Sequence, residues 1–152
     1  MNSLLLFIIL ILVVVCLFLL LGNKKTVDNK IIENDDTSKV VEVLGNEKDL
    51  VDFSIEPGSK VSGTLIVTGS VQGGYFFEGN ILINVLDKNK KVVKAGFGSA
   101  KTDWMTSDPV GFEAVVDFTG SDKGQAYIEI HNDNASGLPE KDKSILIPVV
   151  IN

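Results

Sequence analysis

Cysteine and histidine are almost absent from this chain, which has one of each, Cys16 and His131. A single cysteine cannot close an intramolecular disulfide, so any folded part must be held by packing, and cysteine usage leaves the redox compartment open. A single histidine cannot build a His-based metal cluster within one chain, and a Ser-His-Asp arrangement would have to use His131 itself. No nucleophile elbow and no HExxH stretch accompanies it. Basic residues are also scarce, with 14 Lys plus Arg against 20 Asp plus Glu and a net charge of -6. That balance argues against a phosphate-backbone partner, so no nucleic acid is expected. After residue 49 no long amphipathic helical pattern interrupts the sequence.

The hydrophobicity that is present is concentrated at the start. Leu4 to Leu21 reads LLLFIILILVVVCLFLLL without a charge, and ~18 residues at ~1.5 Å each cover ~27 Å. This nearly matches a hydrocarbon layer of ~30 Å and exceeds the apolar core of a signal peptide. No Lys or Arg precedes the run, and Val15 is too bulky for lipoprotein processing at Cys16. Residues 1–22 are therefore expected to form an uncleaved N-terminal transmembrane helix, with the membrane as partner through residues 4–21. Lys24, Lys25 and Lys30 follow the run. Read literally, the positive-inside rule puts the remainder in the cytoplasm, although long domains translocate despite flanking charge. Residues 23–48 are mixed in charge and lack aromatics, which reads as a polar stalk. Within it, VVEVL ending at Leu44 has the pattern of a segment that pairs with something.

From Asp49 the period changes to two, in short runs bounded by Gly, Pro, Asn and Asp. The inward sets read Val51, Phe53 and Ile55; Leu65, Val67 and Val71; Phe77, Ile81, Ile83 and Val85; and Val93, Ala95 and Phe97. They continue with Val110, Phe112, Ala114, Val116 and Phe118; Ala126, Ile128 and Ile130; and Ile145, Ile147, Val149 and Ile151. Gln125, Tyr127, Glu129 and His131 fall on an outward face, and Pro148 suits a sheet edge or bulge. Lys88, Lys90 and Lys91 lie in DKNKK, a solvated hairpin turn. About seven short strands, each with one wet face, predict an all-β fold over residues 49–152: an immunoglobulin-like antiparallel β-sandwich, with a small barrel as the alternative.

The order GYFFEGNILINVLDKNKKVV, KTDWMTSDPVGFEAVVDF, HNDNASGLPEKDKSILIPV resembles the immunoglobulin-like domain of bacterial spore germination proteins, the second of the domain families found beside GerMN domains. The resemblance spans roughly residues 49 to 152. It rests on Phe77-Glu78, Asp103-Trp104-Met105, Phe112, Asn134, Ser136-Gly137-Leu138-Pro139 and the closing strand with Pro148. It implies an extracytoplasmic module tethered to a bacterial cell membrane by a single pass, which overrides the lysine argument. It carries over no catalytic residue. This chain has no GerMN domain beside it, so a surface-exposed accessory role is what the resemblance implies.

Chemistry-bearing groups are sparse. His131 lies in EIHND, between Glu129 and Asp133, and reads as an outward strand residue among polar neighbours. Asp103, Asp108, Asp133, Asn134, Glu140 and Asp142 would offer oxygens to calcium if the two long loops met, but they lack EF-hand spacing and are better read as turn residues bonding their own backbone. Asn134-Ala135-Ser136 matches the N-glycosylation pattern, a short one that recurs by chance. No metal, cofactor or catalytic residue is expected. With Phe77 inward, Phe76 points out, and Tyr75, Phe76, Trp104, Asn134 and Leu138 form the candidate binding patch. The competing reading makes Trp104 and Leu138 apolar plugs at one end of the sandwich, under a cap made of TDWMTSDP and DNASGLPEKD. The expected function is a non-enzymatic interaction module binding an envelope protein or polysaccharide. The alternative is a protease inhibitor acting through the sandwich-end loops.

Overall fold

The structure, a computed structural model, describes residues 41–152. The expected transmembrane helix at residues 1–22 and most of the stalk lie outside the described residues. Among the described residues no helix is long and apolar enough to cross a membrane.

The described chain is built from strands: β1 (Leu44–Gly45), β2 (Leu50–Phe53), β3 (Lys60–Val61), β4 (Thr64–Val71), β5 (Asn80–Leu86), β6 (Val92–Lys94), β7 (Phe97–Ala100), β8 (Val110–Asp117), β9 (Gly124–His131) and β10 (Ser144–Ile151). They run in the order β1-β10-β9-β5-β7-β8-β4-β2, with β3 on β10 and β6 on β5. The expected sandwich is present in a modified form. Its two layers are continuous, because β7 pairs with β5 on one side and with β8 on the other, so a single curled sheet encloses the core. Glycine allows that crossing. A Cβ on Gly96 would lie 2.8 Å from the Ile83 carbonyl oxygen, and one on Gly98 would lie 3.0 Å from Ile81 and 3.2 Å from Ala114.

The N-terminal part of the domain serves both layers. β2 runs antiparallel to β4, and after the Pro57-Gly58 turn β3 runs parallel to β10, the one exception to antiparallel pairing among the described residues. Leu44, the end of VVEVL, pairs with Leu146 at the start of β10. Between the two short partners of β10 sits Pro148, whose missing N–H leaves no ladder bond to make there, while its carbonyl accepts from the Gly58 N–H at 2.7 Å.

Strict alternation places the core. Val110, Phe112, Ala114, Val116 and Phe118, then Ala126, Ile128 and Ile130, then Ile145, Ile147, Val149 and Ile151 are all buried, as their period-two pattern predicts. Phe112 stacks on Phe53 with ring centroids 6.2 Å apart. Four runs depart from the pattern, one of them at Phe77, which is exposed at one end of the domain. Val51 is exposed, because the register shifts between Leu50 and Asp52 and this bulge turns Leu50 and Phe53 toward the core instead. Val93, Ala95 and Phe97 are exposed as well, since the register Gly98↔Ala114 gives the inner face of β7 to glycine and Phe97 takes the outer one. Tyr127 does occupy the outer face, opposite Leu86 and Pro148, yet it is buried. Lys90 lies 5.9 Å over its ring and Gln125 donates to its hydroxyl at 2.9 Å. The lysine turn is a hairpin as read, with the Asp87 carboxylate accepting from the N–H groups of Asn89 and Lys91.

Candidate functional site at one end of the domain

Three connections meet at one end of the domain: residues 72–79 between β4 and β5, 101–109 between β7 and β8, and 132–143 between β9 and β10. The first of these is the hub. Gly73 is so close to the second loop that a Cβ there would overlap the Thr106 carbonyl oxygen, and its N–H points to the Ser107 carbonyl at 3.4 Å. Gly79 faces the Trp104 indole, and its carbonyl accepts from the Ala100 N–H at 2.9 Å. On the other side, the Tyr75 carbonyl accepts from the Asp133 N–H at 3.0 Å.

Tyr75 is the anchor of this end. Its ring is fully buried, its hydroxyl donates to Asp49 at 3.1 Å, and Lys143 sits 5.3 Å over the ring face while lying 3.6 Å from the same Asp49 carboxylate. Burial, reinforced by the adjacent Asp49 charge and by its hydrogen bond, pushes the phenol far above the ordinary tyrosine range. The three groups tie the turn at Glu47–Asp49, the hub loop and the third loop together.

The aromatic run faces opposite to the sequence reading. Phe76 is buried and Phe77 is exposed. The cause is a tight turn at Glu78-Gly79, both with positive φ, closed by reciprocal hydrogen bonds between Phe77 and Asn80 at 3.0 and 2.9 Å. Residues paired across a hairpin share a face, and Asn80 faces solvent, so Phe77 follows it outward while Phe76 turns in. A two-residue connection before an alternating strand was the signal that would have set this register.

Of the five expected patch residues, Tyr75 and Phe76 are therefore internal, and Trp104 is half-buried against the core cluster. Asn134 holds its own loop. Its amide donates to the Leu138 carbonyl at 2.8 Å and to Asp142 at 2.7 Å, and its oxygen accepts from the Ser136 hydroxyl at 2.6 Å. Leu138 is 44% exposed, so it does not plug the end of the domain. Trp104 keeps the plugging role by its packing against the core. Asn132, a residue the sequence did not single out, is buried and braces the third loop: its amide donates to the Lys141 carbonyl and its oxygen accepts from the Lys143 N–H. The exposed apolar side chains of this end are Phe77, Leu138 and Met105, the last 76% exposed.

Of the loop carboxylates, Asp103 behaves as a turn residue and Asp142 is engaged by a side chain of its own loop. Asp103 accepts from the Met105 N–H at 3.1 Å, and Asp142 is taken by Asn134. Among the described residues, no three of His, Cys, Asp and Glu converge in a metal-sized group. In EIHND, Glu129 is held by Asn84 at 2.9 Å and by the Ser144 hydroxyl at 2.7 Å. Nδ1 of His131 lies 2.7 Å from the Asn132 carbonyl, an acceptor only, so that nitrogen carries the proton. Glu129 and His131 thus have different partners, in line with the reading of His131 as a strand residue among polar neighbours.

A curled, mostly antiparallel sheet with its N-terminal strands shared between two layers, and with three loops gathered at one end, defines an immunoglobulin-like β-domain. The chain belongs to the family described as the immunoglobulin-like domain of bacterial spore germination, whose family model matches residues 54–138. The match takes in the hub loop, Trp104 and the SGL segment, while β10 lies beyond it. No curated protein matches the chain, and no solved structure does.

Proposed function

We propose that this protein is a membrane-tethered, extracytoplasmic interaction module without catalysis, carried by the anchor at residues 4–21 and binding an envelope protein or polysaccharide through its loop end. Membership of the family supports a binding role. The observation that carries the choice of surface is the braced end itself. Three loops locked together through Tyr75, Gly73 and Asn132 hold Phe77, Met105 and Leu138 in solvent on a rigid frame, and a pre-ordered surface costs less entropy on binding. Exposed apolar side chains on a rigid scaffold are the usual material of a contact surface.

The test uses the full chain in cells, with a photo-crosslinking amino acid at Met105 and, as control, at Lys88 in the hairpin at the opposite end. Adducts formed from position 105 and not from position 88 are expected. Equal labelling from both, or none from position 105, overturns the assignment. Purified sacculi retained by the wild type and released by Met105→Ala with Phe77→Ala would identify the polysaccharide arm.

A further inference from the structure

Away from the loop end, one row of side chains crosses the outside of the curled sheet. Leu82 on β5 pairs with Phe97 on β7; continuing the register Gly98↔Ala114 by one residue sets Phe97 opposite Val115 on β8; and Val115 pairs with Ile66 on β4. Ile66 is 72% exposed, Phe97 66% and Val115 58%. Four strands at ~4.8 Å spacing make this an apolar belt of ~14 Å. A Val, an Ile and a Phe in one row, left uncovered among the described residues, is unusual for a surface face of a sheet.

The belt has a polar border on both sides. Along one flank Lys101 pairs with Glu113 at 3.2 Å. Along the other, Lys94 pairs with Asp117, which also accepts from Thr64 and Thr119. An apolar centre with a hydrogen-bonded, charged rim is the anatomy of a protein interface.

We propose that this face joins two copies of the chain, packing belt against belt. The rim selects the occupant. Each flank carries one lysine and one carboxylate, so each is locally neutral in a chain whose net charge is -6. A strongly charged partner finds no complementary field there. A second copy turned about a two-fold axis parallel to the strands, between β7 and β8, sets the lysine side of each flank over the carboxylate side of the same flank in its partner, so that Lys101 can meet Glu113 and Lys94 can meet Asp117 across the contact. Such a contact is self-complementary and closed. It uses the side of the domain, leaves the loop end free in both copies, and does not depend on what the loop end binds.

The experiment uses the full chain in detergent, so that the apolar segment at residues 4–21 is present in every sample. Sedimentation velocity is expected to show a dimer, and Ile66→Glu is expected to weaken it by at least about tenfold, since a buried interface charge is costly. Ile66 is solvent-facing, so at a protein concentration low enough for the wild type to be monomeric the thermal melt of Ile66→Glu should match the wild type. In a Cys16→Ala background, Val115→Cys should form a disulfide-linked dimer on oxidation in membranes, and Lys88→Cys should not. A monomeric wild type, a dimer untouched by Ile66→Glu, or Val115→Cys linking only to a different protein would each overturn the proposal.

Discussion

The Tyr75 hydroxyl and the Asp49 carboxylate lie 3.1 Å apart, with Lys143 within 3.6 Å of the same carboxylate. This contact joins the turn before β2 to the hub of the loop end and explains why a tyrosine is fully buried at the end of a sheet domain.

Removing the hydroxyl leaves Asp49 with Lys143 as its remaining partner. Tyr75→Phe is expected to lower stability by ~1.5–3 kcal/mol, the range for a hydrogen bond to a charged group, read from urea denaturation. The pH dependence carries a sign. The folded phenol is held above its ordinary value, while the unfolded one ionises near ~10. Its contribution is complete below that value, and stability falls as pH rises above it because the unfolded state releases the proton first. Tyr75→Phe should therefore flatten the loss of stability between pH 9 and 11.

Glu78 occupies a left-handed turn position at φ +50 beside Gly79 at φ +78. Asparagine tolerates that geometry better than glutamate and is favoured in two-residue hairpin turns. Glu78→Asn is expected to stabilise the fold by ~0.5–1 kcal/mol, measured as a higher melting temperature with an unchanged far-ultraviolet spectrum.

Gly73 has no room for a side chain, because its Cβ would collide with the backbone of Thr106 and Ser107. Gly73→Ala should push residues 101–109 away from the hub and destabilise by ~2–3 kcal/mol, the cost of overpacking against atoms that cannot yield. Amide exchange is the sharper readout. Protection should fall at Ala100 and Gly73 first and persist in β9 and β10.

Asp117 is held well below the usual carboxylate range, chiefly by its bond to Lys94 and then by Thr119. A depressed value means that its contribution is present at neutral pH and lost as pH falls below the ordinary aspartate value. In a carboxyl-carbon NMR titration Asp117 should be among the last to protonate, and Lys94→Met should move its midpoint upward. A midpoint unchanged by Lys94→Met would mean that Lys94 is not the cause.

Phe112, Ile128 and Ile147 were legible from alternation alone, because a strand with one buried face writes its orientation into every second residue. Phe76 and Phe77 were not. Their orientation is set by a two-residue turn downstream, and a run of three aromatics carries no period to betray it. Phe97 misled for a related reason: its strand turns glycine inward, and a missing side chain leaves no hydrophobic signal. At the loop end, Trp104 was legible as packing material, while the bracing by Asn132 and the internal engagement of Asn134 depended on distances between residues far apart in sequence.

The sequence by itself determined the all-β class, the inner faces of β8, β9 and β10, the lysine hairpin and the resemblance that the family match bears out, since these follow from local periodicity, turn chemistry and motif order. Only the tertiary structure decided that β7 fuses two layers into one curled sheet, that Phe77 replaces Phe76 at the surface, and that Phe97, Val115 and Ile66 line up outside. Those facts depend on register between strands, and register is chosen by the whole set of pairings rather than by any one segment.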